Sequence, residues 1–506
     1  MLRQAARAEV GAEAPPLGGA RLLGRDGRWT IACRGGRIDS IAPARGDEDG
    51  AIDLAGALVL PGFHDPHVHL LSLAREREQV VLPDDIAGWD AIGRPAAARA
   101  ATLGPGRWLR LRRFDEATMT AGRLPDRRDL DAIAADRPVR LQHRNLRLDV
   151  LNTEGLRRCG LLDGTSAAAV ERDGAGRPTG RIFQGGGLVA DPTDRPSPAA
   201  LRDLVAAASA DLLAAGVTSI QDAGAHNGAA ELALLDRLAT DGAIRQRLWT
   251  MVSAIALRDG EVGALDPARV RHAKLEAIEA RLDLDAMAAA AAAARRAGLG
   301  LAVHATSPAE IAAALATIGS SPVDSPAAPA TIGPSPVVSP AVPDRIEHAS
   351  VAPPETVAAV AAAGAAVVAN PGLVLEGGDR YRAEFGPAEL PHLHRLAGWL
   401  AAGVPLALAG DAPVTAAPAL AMLRAAVRRE TRDGFELRPA ERLTVGQAVR
   451  AMTAVPAALV GRGDLGRLAP GQAADLVVLA GDDPLADPVW LTILGGEVVH
   501  DAGAGR

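Results

Sequence analysis

PGFHDPHVHL, residues 61–70, places His64, His67 and His69 close together in a chain that has only 11 histidines in 506 residues. The apolar run AIDLAGALVL just before it reads as a strand, and Pro61-Gly62 interrupts that strand. Side chains alternate along an extended segment, so His67 and His69 share one face while Val68 takes the other. Two imidazoles two residues apart on one face can grip a single metal ion. His64 lies off that face and is expected to pack behind it. Asp65 is expected either to orient a ligand histidine or to serve the turn.

Working outward, seven more apolar stretches follow: GVTSIQDAG (216–224), RLWTMVSA (247–254), HAKLEAIE (272–279), LGLAVHAT (299–306), DRIEHAS (344–350), AAVVANPG (365–372) and PLALAGDAP (405–413). Most are separated by Ala-rich amphipathic segments such as LDAMAAAAAAARRAGLG, which read as helices. Eight alternating units predict an α/β fold, a TIM (β/α)8 barrel, whose chemistry sits where its strands end. His67, His69, Lys274, His304, His348 and Asp411 all fall at such ends. His272, two residues before Lys274, is expected to be structural. His226, His392, His394 and His500 read as surface or loop residues.

The barrel is expected over 61–463, interrupted by an inserted subdomain at 71–210 after its first strand. A Pro/Ser-rich loop is expected at 316–343, where ATIGSSPVDSPAAP is followed at once by the near-copy ATIGPSPVVSPAVP. Short β-like stretches also open and close the chain, among them WTIACRGGRIDSIA and AADLVVLA. Residues 1–60 and 464–506 are therefore expected to pair into a small accessory β-sandwich.

Composition narrows the function. An apolar fraction of 48% suits a globular chain, and a net charge of −7 with scattered basic residues gives no footprint for nucleic acid or a membrane surface. Cys33 and Cys159 form no CxxC motif, and no apolar h-region opens the chain, so a reduced cytoplasmic setting is expected. Lys274 is the only lysine among 54 basic residues. A chain that otherwise uses arginine gains one thing from a lysine, an amine whose pKa can move and which can react as a nucleophile.

In this order the motifs resemble the amidohydrolase superfamily, and within it the YtcJ-like branch, over nearly the whole chain. PGFHDPHVHL is similar to the HxH of the first strand. RWLRLRRFDE, LPDRRDLDAIAADRPVRLQHRN and VLNTEGL resemble the branch's inserted region, and RDGAGRPTGRIFQ its stretch before the second strand. AVHA, RIEHA and LALAGDAPV resemble strands five, six and eight, and DLGRLAPGQAADLVVLAGDDP the closing segment.

The resemblance implies a metal-dependent amidohydrolase that cleaves a non-peptide C–N bond of an amide or formamide type through a metal-bound hydroxide. His67, His69, Lys274, His304, His348 and Asp411 would be the metal ligands. Asp411 would shuttle the proton, and His348 or His304 would steady the oxyanion. The metal would be divalent, zinc by its ligand types, as one ion or as two bridged by carbamylated Lys274. His143 in the inserted region would touch a small-molecule substrate, and superfamily habit implies a homodimer.

Three places depart from the family pattern. His64 stands where Ile, Val or Leu is usual, Thr306-Ser307 where Gly-Asp often follows His304-Ala305, and KLEAIEARLD runs straight towards a helix without the usual Asp-Gly loop. Ester or lactone hydrolysis on the same site, an inactive barrel acting as a binding module, and a non-hydrolytic barrel stay open on the residues alone.

Overall fold

A computed structural model of the chain describes residues 14–46, 50–83, 88–115, 123–144, 148–163, 167–183, 188–189, 196–319, 342–416 and 418–503. Contacts divide the chain into two compact units. One is Leu71–Val205; the other comprises everything before and after it.

The larger unit is built on eight parallel strands: β1 (Phe63–Val68), β2 (Val217–Asp222), β3 (Arg247–Ser253), β4 (Val270–Glu276), β5 (Gly300–Ala305), β6 (Arg345–His348), β7 (Ala366–Ala369) and β8 (Leu406–Leu408). Each pairs with the next in chain order, giving one sheet that runs unbroken from β1 to β8. Between them lie helices such as Ala229–Thr240, Leu284–Arg296 and Pro354–Ala362. Buried on both faces, β7 (AVVA) and β8 (LAL) are entirely apolar, as strands of a covered parallel sheet must be. Helix Leu284–Arg296 owes its position to its composition. Asp283 caps its start by accepting from the Ala286 amide, and Met287, Ala290, Ala291 and Ala294 turn inward.

The circle nearly closes. The Asp411 amide donates to the His67 carbonyl and the His69 amide to that of Ala412, each at 2.9 Å. The Gly410 amide adds a bond to the Asp65 carboxylate at 3.2 Å. These join the chain at the ends of β8 and β1, so the fold is the barrel the alternation predicted. Asp65 therefore serves the seam, accepting also from the His67 amide at 3.1 Å.

Strand Leu58–Pro61 delivers β1 through Gly62, where a side chain would force its neighbour to shift: a Cβ would stand 2.3 Å from Thr218 Oγ1. The same strand belongs to a sheet drawn from both chain ends, in the order 497–501, 489–494, 476–479, 58–61, 17–22, 25–34 and 37–43. Its core includes Leu17, Ile31, Ile38, Leu476 and Ile493.

Leu71–Val205 has its own six-stranded sheet, in the order 170–172, 178–183, 148–151, 139–143, 109–114 and 80–81. Its core gathers Leu109, Leu111, Leu130, Leu141 and Val150. The tandem repeat begins differently from the expected loop, since Ala316–Gly319 are the last turn of helix Pro308–Gly319. Its residues 320–341 lie outside the described ones. Among the described residues, no helix is long and apolar enough to cross a membrane.

Candidate metal centre

His67 and His69, on one side of the chain at the end of β1, meet Asp411 just past the end of β8. One donor atom of each lies within 4.8 Å of the other two. Asp411 Oδ1 stands 3.2 Å from His69 Nε2 and 3.5 Å from His67 Nε2. That oxygen is buried and makes no hydrogen bond of acceptable geometry. A buried carboxylate oxygen facing two imidazole nitrogens is an arrangement that a cation would satisfy, so the residues fit a divalent metal. Burial alone would raise Asp411, but His67, His69 and His348 outweigh it and hold the carboxyl below its usual range. Burial likewise pulls His69 down, and Asp411 more than reverses it.

The ring of His67 is almost wholly enclosed. Burial, with Lys274 nearby, lowers its pKa to about 3 against the opposing pull of Glu347. Its contact with Glu347 Oε2, at 2.5 Å, is a hydrogen bond that Nδ1–H donates, since a carboxylate oxygen can only accept. Lys274 Nζ reaches the other nitrogen, Nε2, at 3.4 Å. No carboxylate stands within ion-pair distance of that amine among the described residues, and burial pushes its pKa down.

His348 arrives by a different route. Arg345 and Glu347 share one face of β6, so a regular strand would turn the next side chain away. At His348 the backbone instead takes φ 75°, in the left-handed region. The ring then packs edge-on to His304, with centroids 4.6 Å apart, and lies 5.0 Å from the ring of His67. His348 Nδ1 donates to Asn370 Oδ1 at 2.7 Å, and Asn370 in turn donates to the Ala409 carbonyl. The lone pair of His348 thus sits on Nε2. Its Nδ1 remains 3.9 Å from Asp411 Oδ2. Burial, with His348 and Lys274, holds His304 well below the ordinary histidine range. The six residues named from the sequence are thus assembled at one end of the barrel, three of them in tight convergence.

Sequence reading missed Glu347, Arg345 and Asn370. A signal existed for the first two: RIEH sets two opposite charges two residues apart in a strand that must be buried on both sides. His394, read as surface or loop, is buried, its ring 5.2 Å from that of Tyr381. Burial, Arg429 and His348 lower its pKa to about 3. His64 packs as expected, stacked on Trp249 at 5.3 Å. His272 is structural, bonding Gln221 and the Pro343 carbonyl. In the unit Leu71–Val205, His143 is buried with its ring 5.9 Å from Phe114.

Fold and site together are those of a parallel barrel that carries a candidate His-His-Asp metal site where its strands end. Residues 50–500 match the family described as "Amidohydrolase family", and the chain belongs to it. It is a hydrolase acting on carbon–nitrogen bonds other than peptide bonds. An N-substituted formamide deformylase of Arthrobacter pascens is 26% identical over 515 residues, 89% of this chain and 90% of that one. YtcJ of Bacillus subtilis, named as an amidohydrolase, is 29% identical over 135 residues, 26% of this chain and 25% of that one. A structure from Pyrococcus horikoshii, described as an uncharacterized metal-dependent hydrolase, shares the fold. Its TM-score is 0.72 at 20% identity, over 96% of this chain and 99% of that one.

Proposed function

We propose that the protein hydrolyses the amide or formamide bond of a small N-substituted molecule. The observation that carries this reading is the convergence of His67, His69 and Asp411, with a buried carboxylate oxygen left without a hydrogen bond. The length over which the chain resembles the formamide deformylase supports the choice of bond.

His67, His69 and Asp411 would hold the first ion, zinc by the preference of imidazole and carboxylate donors. When bound, a divalent metal supplies Lewis acidity and lowers the pKa of coordinated water to about 7. Asp411 accepts the proton of the attacking water and returns it to the leaving nitrogen. His348 and His304 are assigned as further ligands. With its Nδ1–H committed to Asn370, His348 offers a lone pair on Nε2 and suits ligation better than oxyanion support.

Lys274 is assigned to bridge a second ion after carbamylation. Its neutral amine attacks CO2: an N–C bond forms as one C=O π bond opens onto oxygen, the nitrogen gives one proton to solvent, and a neutral amine becomes an anionic oxygen ligand. An amine held low by burial is ready for this reaction. His143 is assigned to substrate contact.

Elemental analysis of protein purified with zinc and bicarbonate, beside Lys274→Arg, tests the centre. About two metals per chain, falling to one or none in the variant, support the bridged pair. One in both leaves a single-metal hydrolase, and none in either leaves a binding module. Parallel assays on N-substituted formamides, amides, esters and lactones test the bond, and faster turnover of the esters or lactones would overturn it.

A further inference from the structure

We infer that Glu347 is a positioning residue: it fixes the imidazole of His67 with its proton on Nδ1, so that Nε2 is the atom offered to the metal, and Arg345 holds Glu347 in place. This rests on the metal reading above.

The relay is enclosed throughout. The side chains of Arg345 and Glu347 are 0% exposed and that of His67 is 1% exposed. Arg345 Nε donates to Glu347 Oε1 at 2.6 Å, leaving Oε2 for His67. Arg345 Nη2 also donates to the Pro66 carbonyl at 2.9 Å, so one guanidinium clamps both the carboxylate and the backbone just before His67. Lys274 Nζ stands at Nε2, and Glu347, whose carboxylate only accepts, stands at Nδ1. The carboxylate therefore selects the tautomer that carries its proton on Nδ1.

A buried ion pair contributes little to stability, and packed apolar side chains would fill the space as well. A carboxylate behind a ligand imidazole has a separate use. It stops the ring from rotating and raises the basicity of the far nitrogen.

The experiment uses the full chain, metal-free, with 15N-labelled histidine, and His67→Asn to assign the signal. His67 is expected to carry its proton on Nδ1, shifted downfield by the carboxylate, and to move upfield in Glu347→Gln. Zinc affinity, measured by competition with a chromophoric chelator, is expected to fall about 10–100-fold in that variant. Urea unfolding of the metal-free proteins separates this from lost stability. Arg345→Met with Glu347→Gln, which removes the stranded guanidinium, is expected to show the same loss of zinc.

A proton on Nε2 of His67 overturns the inference. So does an unchanged zinc affinity in a variant that is merely less stable, which would make the pair packing alone. Failure of the native protein to bind zinc, with the Nδ1 proton in place, would sink the metal reading and this role with it.

Discussion

His348 and Asp411, which end β6 and follow β8, both hold left-handed backbone, with φ of 75° and 54°, and bring Nδ1 and Oδ2 to 3.9 Å. Left-handed backbone costs a non-glycine residue on the order of 1–2 kcal/mol, so packing must enforce it at both. Asparagine tolerates this region as well as aspartate does. Asp411→Asn should therefore keep the fold while losing the charge. Hydrolysis is expected to drop about 10²–10⁴-fold with near-ultraviolet circular dichroism unchanged; unaltered turnover would remove Asp411 from proton transfer.

Stripping the metal with a chelator should abolish hydrolysis, and adding zinc back should restore it. Stability follows by mass action: at about 100 times the dissociation constant, bound metal adds about 2.7 kcal/mol. A thermal midpoint unmoved by saturating zinc would argue against a site in the folded protein.

His64 gives a pH dependence of known sign. Burial, with Arg345 and Arg462, lowers it to about 3, and neither ring nitrogen finds a partner. The unfolded chain takes up this proton below about pH 6.5, whereas the folded chain refuses it until about pH 3. The contribution of His64 is therefore complete above pH 6.5 and is lost as pH falls through that window. Between pH 7.5 and 5 it amounts to about 2 kcal/mol. His64→Phe, which keeps a ring on Trp249, should flatten the acid-side loss in metal-free protein by about that amount. Equal pH slopes for the two proteins would refute it.

Gly62→Ala should destabilise by about 1–3 kcal/mol, because its Cβ would press on the Thr218 side chain. Adding Thr218→Ala should recover part of that loss, as coupled neighbours do. Additive effects in urea titrations would show that the two positions do not touch.

The barrel was legible because strands covered on both faces must be apolar, and their spacing by Ala-rich helices leaves few other folds. Lys274 was legible through composition, as the single amine in an arginine-rich chain. Glu347 was not. Its function depends on sharing a strand face with Arg345, and on the left-handed turn that brings His348 round to the same site. His394 misled because nothing local buries it; Tyr381 packs on its ring, and Arg429 grips its carbonyl at 2.9 Å from a distant helix end.

The hydrogen bonds between His67, His69, Asp411 and Ala412 join stretches more than 300 residues apart in the chain. Closing that ring is the step with the largest loop-entropy cost in the barrel. An ion held by His67, His69 and Asp411 would straddle the junction, acting as a clasp as well as a reagent. Without it, amide hydrogens at His69 and Asp411 should exchange before those in the middle of β4 and β5, and the ring of strands should come undone first where it was fastened.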